Sequence, residues 1–398
     1  MTLLIDPGPS WGSRGAAVAG EDAELDPFVA IRRDLHRHPE LAFKEKRTSE
    51  LVADHLASWG YEVARGFAGT GVVGALRRGS GEKRLGIRAD MDALPIQEAT
   101  GLSYASTHEE IMHACGHDGH TAILLAAAKA LADDVDFSGE LHLIFQPAEE
   151  IGAGARRMIT EGLFERFPCD AVFGLHNWPG FAAGQFGFVE GPAMAAVDQA
   201  RIAVIGQGGH GAAPHETIDP VVATASLITA LQSIVSRGVD PLEAAVVTVG
   251  SIHGGTASNI IPDSVEMKLT LRSFTPAIRN LLEIRVPALA RAQAESFGAR
   301  AEVDYRRGFP PVMNHPRETQ FARRVALGQF GPAGIAELFQ PRTASEDFAF
   351  FLEARPGAFV FVGNGDSAAL HSPRYDFNDA ILAPAAAFWT GLAGTFLQ

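Results

Sequence analysis

Cysteine is scarce in this 398-residue chain: there are two, Cys115 and Cys169. A disulfide framework is thereby excluded, and a reducing compartment is indicated. Cations are also in short supply, with 33 Lys and Arg against 47 Asp and Glu and a formal charge of −14. No basic stripe of the kind a polyphosphate requires is present, so nucleic acid is not an expected partner and the acidity serves solubility. No apolar run reads as long enough to cross a bilayer, so no membrane partner is expected. Residues 1–26 lack a basic region followed by an apolar block; they read as a loose leader, and the cytoplasm is the expected compartment. There is no internal repeat, and no low-complexity tract beyond that leader. The length suits two or three domains, and a 46% hydrophobic share is enough for a sizeable core.

Periodicity then sets the organisation. Helical spacing covers Asp26 to His38 and Thr48 to Trp59, with Thr48 as the expected N-cap and Gly60 as the stop. Short β-rich apolar runs lie at Gly71 to Leu76, Leu85 to Ala89, Leu141 to Phe145, Ala171 to Leu175 and Phe359 to Val362. Helices fall between several of them, which predicts an α/β domain with a mostly parallel sheet flanked by helices. From Gln199 to Ala301 the pattern changes to strand, helix, two strands, helix, strand. That is the split βαβ, ferredoxin-like order of a compact α+β module. The expected boundaries are 27–192 and 306–398 for the first domain and 193–305 for the inserted one.

The stretch HACGHDGH holds three histidines, a cysteine and an aspartate in eight residues, from His113 to His120. Cys115 and His117 on a tight turn are half of a transition-metal site, since thiolate and imidazole suit zinc, manganese, cobalt or nickel. Other candidates sit where strands end: Asp90 and Asp92, Glu149 and Glu150, His176, and His371 in a later loop. Ligands in an open parallel sheet gather outside the carboxyl ends of its strands, so these distant residues can meet in one crevice. A pair of adjacent carboxylates near a metal suits one ligand and one general base, although acids also favour the start of a helix for their own sake. His36 and His38, before a proline, read as capping the first helix; Cys169 reads as a buried small hydrophobe.

The ordered set LHRHPEL, RADMDALP, HACGHDGH, FQPAEE, GLHNWP, GGHGAAPH, ASNIIP, SEDFAFF and LHSPRYDF resembles the hippurate hydrolase and indoleacetyl-amino-acid hydrolase group. That group lies within the aminoacylase and carboxypeptidase-like family of two-metal amidohydrolases. The resemblance runs from about Pro27 onward. It implies Cys115, His117, Glu150, His176 and His371 as ligands of two divalent ions per chain, with Cys115 bridging, Glu149 as general base and Asp92 orienting the site. Manganese or zinc is expected, with nickel or cobalt as alternatives. It further implies His210, on a glycine-rich loop, as an oxyanion or carboxylate contact, with Asn259 beside it in role and Arg272 able to grip a substrate carboxylate. Relatives outside the group carry His where Asp90 stands and Asp where Cys115 stands.

The activity so implied is hydrolysis of N-acyl-L-amino acids with an aromatic or apolar acyl group, in a homodimer joined through the inserted module, which also serves as a lid. The rival expectations are a deacetylase of a small N-acetyl amino acid, a short-peptide peptidase, or a non-catalytic metal-binding sensor on the same fold.

Overall fold

The computed structural model describes residues 26–337 and 339–398; apart from Asp26, the expected leader lies outside them. The described chain opens on a capped helix, Pro27–Arg37: the Asp26 carboxylate accepts from the amides of Phe28 and Val29, and Pro27 occupies the first turn. The second helix, Lys46–Ser58, starts before Thr48 and has Glu45 at its cap position without a side-chain cap bond. Thr48 is therefore not the cap. Its backbone amide instead donates to Glu40 at 2.9 Å. Gly60, at φ 86°, follows the helix end as expected.

The chain divides into two compact units. The first takes the described residues up to Phe188 together with Pro316–Phe339 and Arg355–Gln398. Its seven-stranded sheet runs, edge to edge, Glu62–Phe67, Gly71–Arg78, Gly139–Gln146, Arg84–Asp90, Ala171–Pro179, Gly357–Gly365, Phe186–Gly187. The four strands from Gly139–Gln146 to Gly357–Gly365 are parallel to their neighbours in that series, while both edges pair antiparallel. The sheet thus has the parallel centre expected from the sequence, with antiparallel strands at its edges. The reason is local: Glu62–Phe67 and Gly71–Arg78 are joined by too short a connection for anything but a hairpin. Residues 171–177 are buried without a break, as a strand covered on both faces requires. The Ala- and Leu-rich helix His117–Asp133 is buried along most of its length.

The second unit comprises Val189–His315 and Gln340–Ala354, so it reaches past the expected 193–305 at both ends and adds a later segment. Its four strands, in the order Ala245–His253, Ser264–Ser273, Ala196–Ile205, Arg300–Arg307, are all antiparallel, and the helices Pro220–Gly238 and Pro276–Glu295 complete the ferredoxin-like order. Alternate residues of Ala196–Ile205 are buried, with Ile202, Val204, Leu231, Met267 and Leu282 in the core. The Pro220–Gly238 helix has the length and composition of a membrane-crossing segment, contrary to the expectation from sequence; Ala223, Leu227, Leu231 and Ile234 on it belong to this unit's core.

His38 caps the first helix, its Nδ1 donating to the Asp34 carbonyl at 2.9 Å. His36 does not. It is buried, with Nδ1 2.9 Å from Asp118 and Nε2 3.3 Å from Glu98. Burial opposes its charge, but those carboxylates outweigh the penalty and hold its pKa up at about 9. A group whose folded pKa is raised stabilises fully below its unfolded value and loses that contribution as pH climbs through the folded one. Stability should therefore fall between about pH 6.5 and 9, by on the order of 3 kcal/mol at most from this group. Thermal unfolding of His36→Leu, itself less stable, should show a flatter pH slope over that range; an unchanged slope would contradict the assignment.

Candidate metal centre

Gly116 makes the ligand turn. It sits at φ 93°, in the left-handed region, between Cys115 and the first residue of the His117–Asp133 helix. A methyl group there would lie 2.3 Å from Asn177 Oδ1 and 2.8 Å from the Tyr375 hydroxyl. The reversal turns the Cys115 and His117 side chains to one place. His117 Nδ1 donates to the Asp92 carbonyl at 2.9 Å, which leaves Nε2 facing the cluster. His176, on the Ala171–Pro179 strand, repeats the device: Nδ1 donates to the Asn177 carbonyl at 2.6 Å, and Nε2 lies 3.4 Å from Cys115 Sγ.

The paired glutamates lie on a tight turn, with Ala148 at φ 55° before them and Gly152 N–H donating to the Glu149 carbonyl at 2.7 Å. Asp92 clasps that turn: its two carboxylate oxygens accept from the backbone amides of Glu149 and Glu150 at 3.0 and 3.1 Å. The Glu150 carboxylate is 3.9 Å from His117 Nε2 and 3.5 Å from His371 Nε2. His371 follows the Gly357–Gly365 strand at φ 64°, a conformation that costs a non-glycine residue about 1–3 kcal/mol and persists only where neighbours enforce it. Its amide donates to the Ala114 carbonyl at 2.8 Å, one residue from the cysteine.

Within the first unit four overlapping sets result, each with ligand atoms within 4.8 Å of one another: Cys115, His117, His176; Cys115, Glu150, His371; His117, Glu149, Glu150; and Asp90, His117, His120. The sulfur is common to the first two. All five expected ligands and Glu149 therefore converge. His117 Nε2 and Glu150 Oε1 are buried and have no hydrogen-bond partner among the described residues. Two such atoms aimed into one space, beside a thiol, fit a soft or borderline divalent cation, and no ordinary hydrogen-bond network uses them.

The charges agree. Burial lowers the His117 pKa, but Asp90, Asp92 and Glu150 overcome it and raise it to about 10. Glu150 is pushed up to about 7, by burial first and by Asp92 and Asp90 next, against the pull of His117. Burial and the neighbouring His120 and His117 keep His176 well below the usual histidine range, so it stays neutral and able to ligate.

Two of the supports, Asp90 and His120, stood out in the sequence, whereas Asn177, Tyr375 and Arg88 did not. His120 bridges Asp90 Oδ1 at 2.6 Å and Asn177 Oδ1 at 2.7 Å, and its ring lies 4.6 Å from that of His176. Asn177 in turn donates to the buried Tyr375 hydroxyl. Asp90 is held by Arg88 at 2.7 Å and lies 3.7 Å from His117 Nε2. A signal for His120 did exist, since residues three apart share a helix face. In the second unit, His210 is exposed and pairs with Ile260 in a two-stranded ladder, with Gly211 donating to the Asn259 carbonyl at 2.8 Å, so His210 and Asn259 lie together. Arg272 is elsewhere in that unit, on the Ser264–Ser273 strand, donating to Ser345. Cys169 is buried, with Sγ 3.5 Å from His142 Nδ1.

Residues 86–395 match the description of peptidase family M20/M25/M40. A hippurate hydrolase of Campylobacter jejuni is 45% identical over 93% of this chain and 97% of its own. An N-acetyl-L-cysteine deacetylase of Bacillus subtilis is 41% identical over 91% and 86%. Among solved structures, a dinuclear metal binding peptidase of family M20 from Bacillus subtilis is similar with a TM-score of 0.81, at 34% identity and over 93% of this chain and 98% of that one.

Gly116→Ala should be destabilising by about 2–4 kcal/mol, from the left-handed backbone and the occupied space together. It should also reduce bound metal, as read by thermal unfolding and elemental analysis. A variant with normal stability and full metal content would show that the turn tolerates a side chain.

Proposed function

Because the chain belongs to peptidase family M20/M25/M40, whose members here are metal-dependent hydrolases of amide bonds, we propose that it splits N-acyl-L-amino acids into a carboxylic acid and a free amino acid. The acyl group is aromatic or otherwise apolar, as in hippurate. The observation that carries this reading is the Cys115 sulfur, which belongs to two ligand triplets at once. The identity to a hippurate hydrolase supports the acyl preference.

In this reading Cys115, His117 and His176 would hold one divalent cation, and Cys115, Glu150 and His371 would hold the other. Manganese or zinc suits the thiolate, imidazole and carboxylate donors, with nickel or cobalt as alternatives. When bound, the ions supply Lewis acidity toward a carbonyl oxygen and a lowered pKa for water. Glu149, beside Glu150 but not needed as a ligand, takes the proton from the water that attacks the scissile carbonyl carbon and returns it to the leaving amine nitrogen. Asp92, through the two amides it clasps, keeps both glutamates in register and fixes the His117 ring. His210 donates to the oxygen that gains charge, Asn259 shapes its loop, and Arg272 grips the α-carboxylate. The second unit acts as lid and dimer contact, and the enzyme works in the cytoplasm. The identity to an N-acetyl-L-cysteine deacetylase favours a second reading, a small N-acetyl amino acid as substrate.

The deciding experiment is an assay of the manganese- or zinc-loaded protein against a panel of N-acyl amino acids. Benzoyl- and indoleacetyl-amino acids should turn over with higher kcat/KM than N-acetyl ones; the reverse order would establish the second reading. Glu149→Gln should keep its metal and lose on the order of 10²- to 10⁴-fold in kcat. Loss of metal instead would mean that the two glutamates have exchanged roles. Light scattering should give a dimer, and a monomer would remove the lid unit's assembly role.

A further inference from the structure

The Pro27–Arg37 helix lies outside the residues matched to the family description, yet its inner face carries a cation where an apolar residue is the ordinary choice. Arg32 is fully buried. Its guanidinium reaches Asp379 at 2.6 and 2.8 Å, Asp118 at 3.4 Å and Asp376 at 3.7 Å, and lies 4.6 Å over the Tyr104 ring. Tyr104 donates its hydroxyl to Asp376, and His36 meets Asp118 from the same helix. Buried ion clusters are weak stabilisers, because dehydration offsets most of the attraction; their geometric demands are what remain. The geometry here joins two particular segments. Asp118 directly follows His117, and Asp376 and Asp379 follow His371 on a short stretch whose Tyr375 is bonded to Asn177. His371 itself is in the left-handed region, which only surrounding contacts can enforce.

We infer that Arg32, backed by His36, is a positioning residue of the metal centre, holding the His371 segment against the His117 helix so that Cys115, Glu150 and His371 come together. The inference rests on the reading that these three hold one of two cations. Asp118 is the fulcrum, since it receives both cationic side chains and is the neighbour in sequence of a residue in the other triplet.

The test is zinc stoichiometry and affinity, by elemental analysis and competition with a chelating dye. The unsubstituted protein should hold two zinc ions. Arg32→Met should keep one and bind the second on the order of ten- to a hundredfold more weakly, the usual consequence of losing a support behind a ligand. Arg32→Lys, which keeps the charge and loses the fork, should recover part of that affinity. Leu231→Ala, in the core of the second unit, should lower thermal stability and leave both zinc affinities intact. If Arg32→Met does not fold, Asp379→Asn takes its place with the same expected result. Unchanged zinc binding in Arg32→Met or Asp379→Asn would overturn the inference, as would equal zinc loss in Leu231→Ala. Fewer than two zinc ions in the unsubstituted protein would instead overturn the two-cation reading beneath it.

Discussion

Between Cys115 and His117 the chain has room for a hydrogen atom and no more. Asn177 and Tyr375 fill the space where a side chain would project, and the left-handed backbone excludes most residues besides. That one constraint brings a sulfur and an imidazole to the same point at the head of a buried helix. Everything else in the site is arranged around the point so fixed: His176 from the strand beside it, the glutamate turn through Asp92, and His371 through the Ala114 carbonyl. The fold supplies the directions, because the parallel strands Arg84–Asp90, Gly139–Gln146 and Ala171–Pro179 all deliver their carboxyl ends to one edge.

Such a cluster has an electrostatic problem. Asp90, Asp92, Glu149 and Glu150 are gathered with little water to screen them, and a buried carboxylate without a counter-charge is costly. The chain answers in layers. Arg88 pairs with Asp90, backbone amides satisfy Asp92, and Asp90, Asp92 and Glu150 hold the His117 pKa up. A cation bound among these groups would compete with their protons, so its binding would depend on pH.

Much of this was legible before any coordinates. The central strands could be read from short β-rich apolar runs, and the order of elements between Gln199 and Ala301 identified the second unit's topology. The candidate ligands that the structure brings together were legible because each sits at a strand end or a turn and is of a chemically telling type. The edge strand Glu62–Phe67 was missed, since its burial is irregular and two arginine or glutamate positions interrupt the apolar pattern. Arg32 and His36 were missed for a different reason. Arg32 and Asp379 are 347 residues apart, and neither spacing nor composition signals an ion pair at that separation. His36 looked like a capping residue because a proline follows nearby, whereas tertiary contact with Asp118 decides its role. Domain limits were also misjudged, because the segment Gln340–Ala354 returns to the second unit after the chain has left it.

The central claim is that one sulfur serves two cations. Anomalous diffraction from a crystal of the zinc-loaded protein tests it directly. Two zinc peaks should flank Cys115, each about 2.3 Å from Sγ, with His117 and His176 on one and Glu150 and His371 on the other. A single peak, or a pair of which one has no sulfur ligand, would contradict the account.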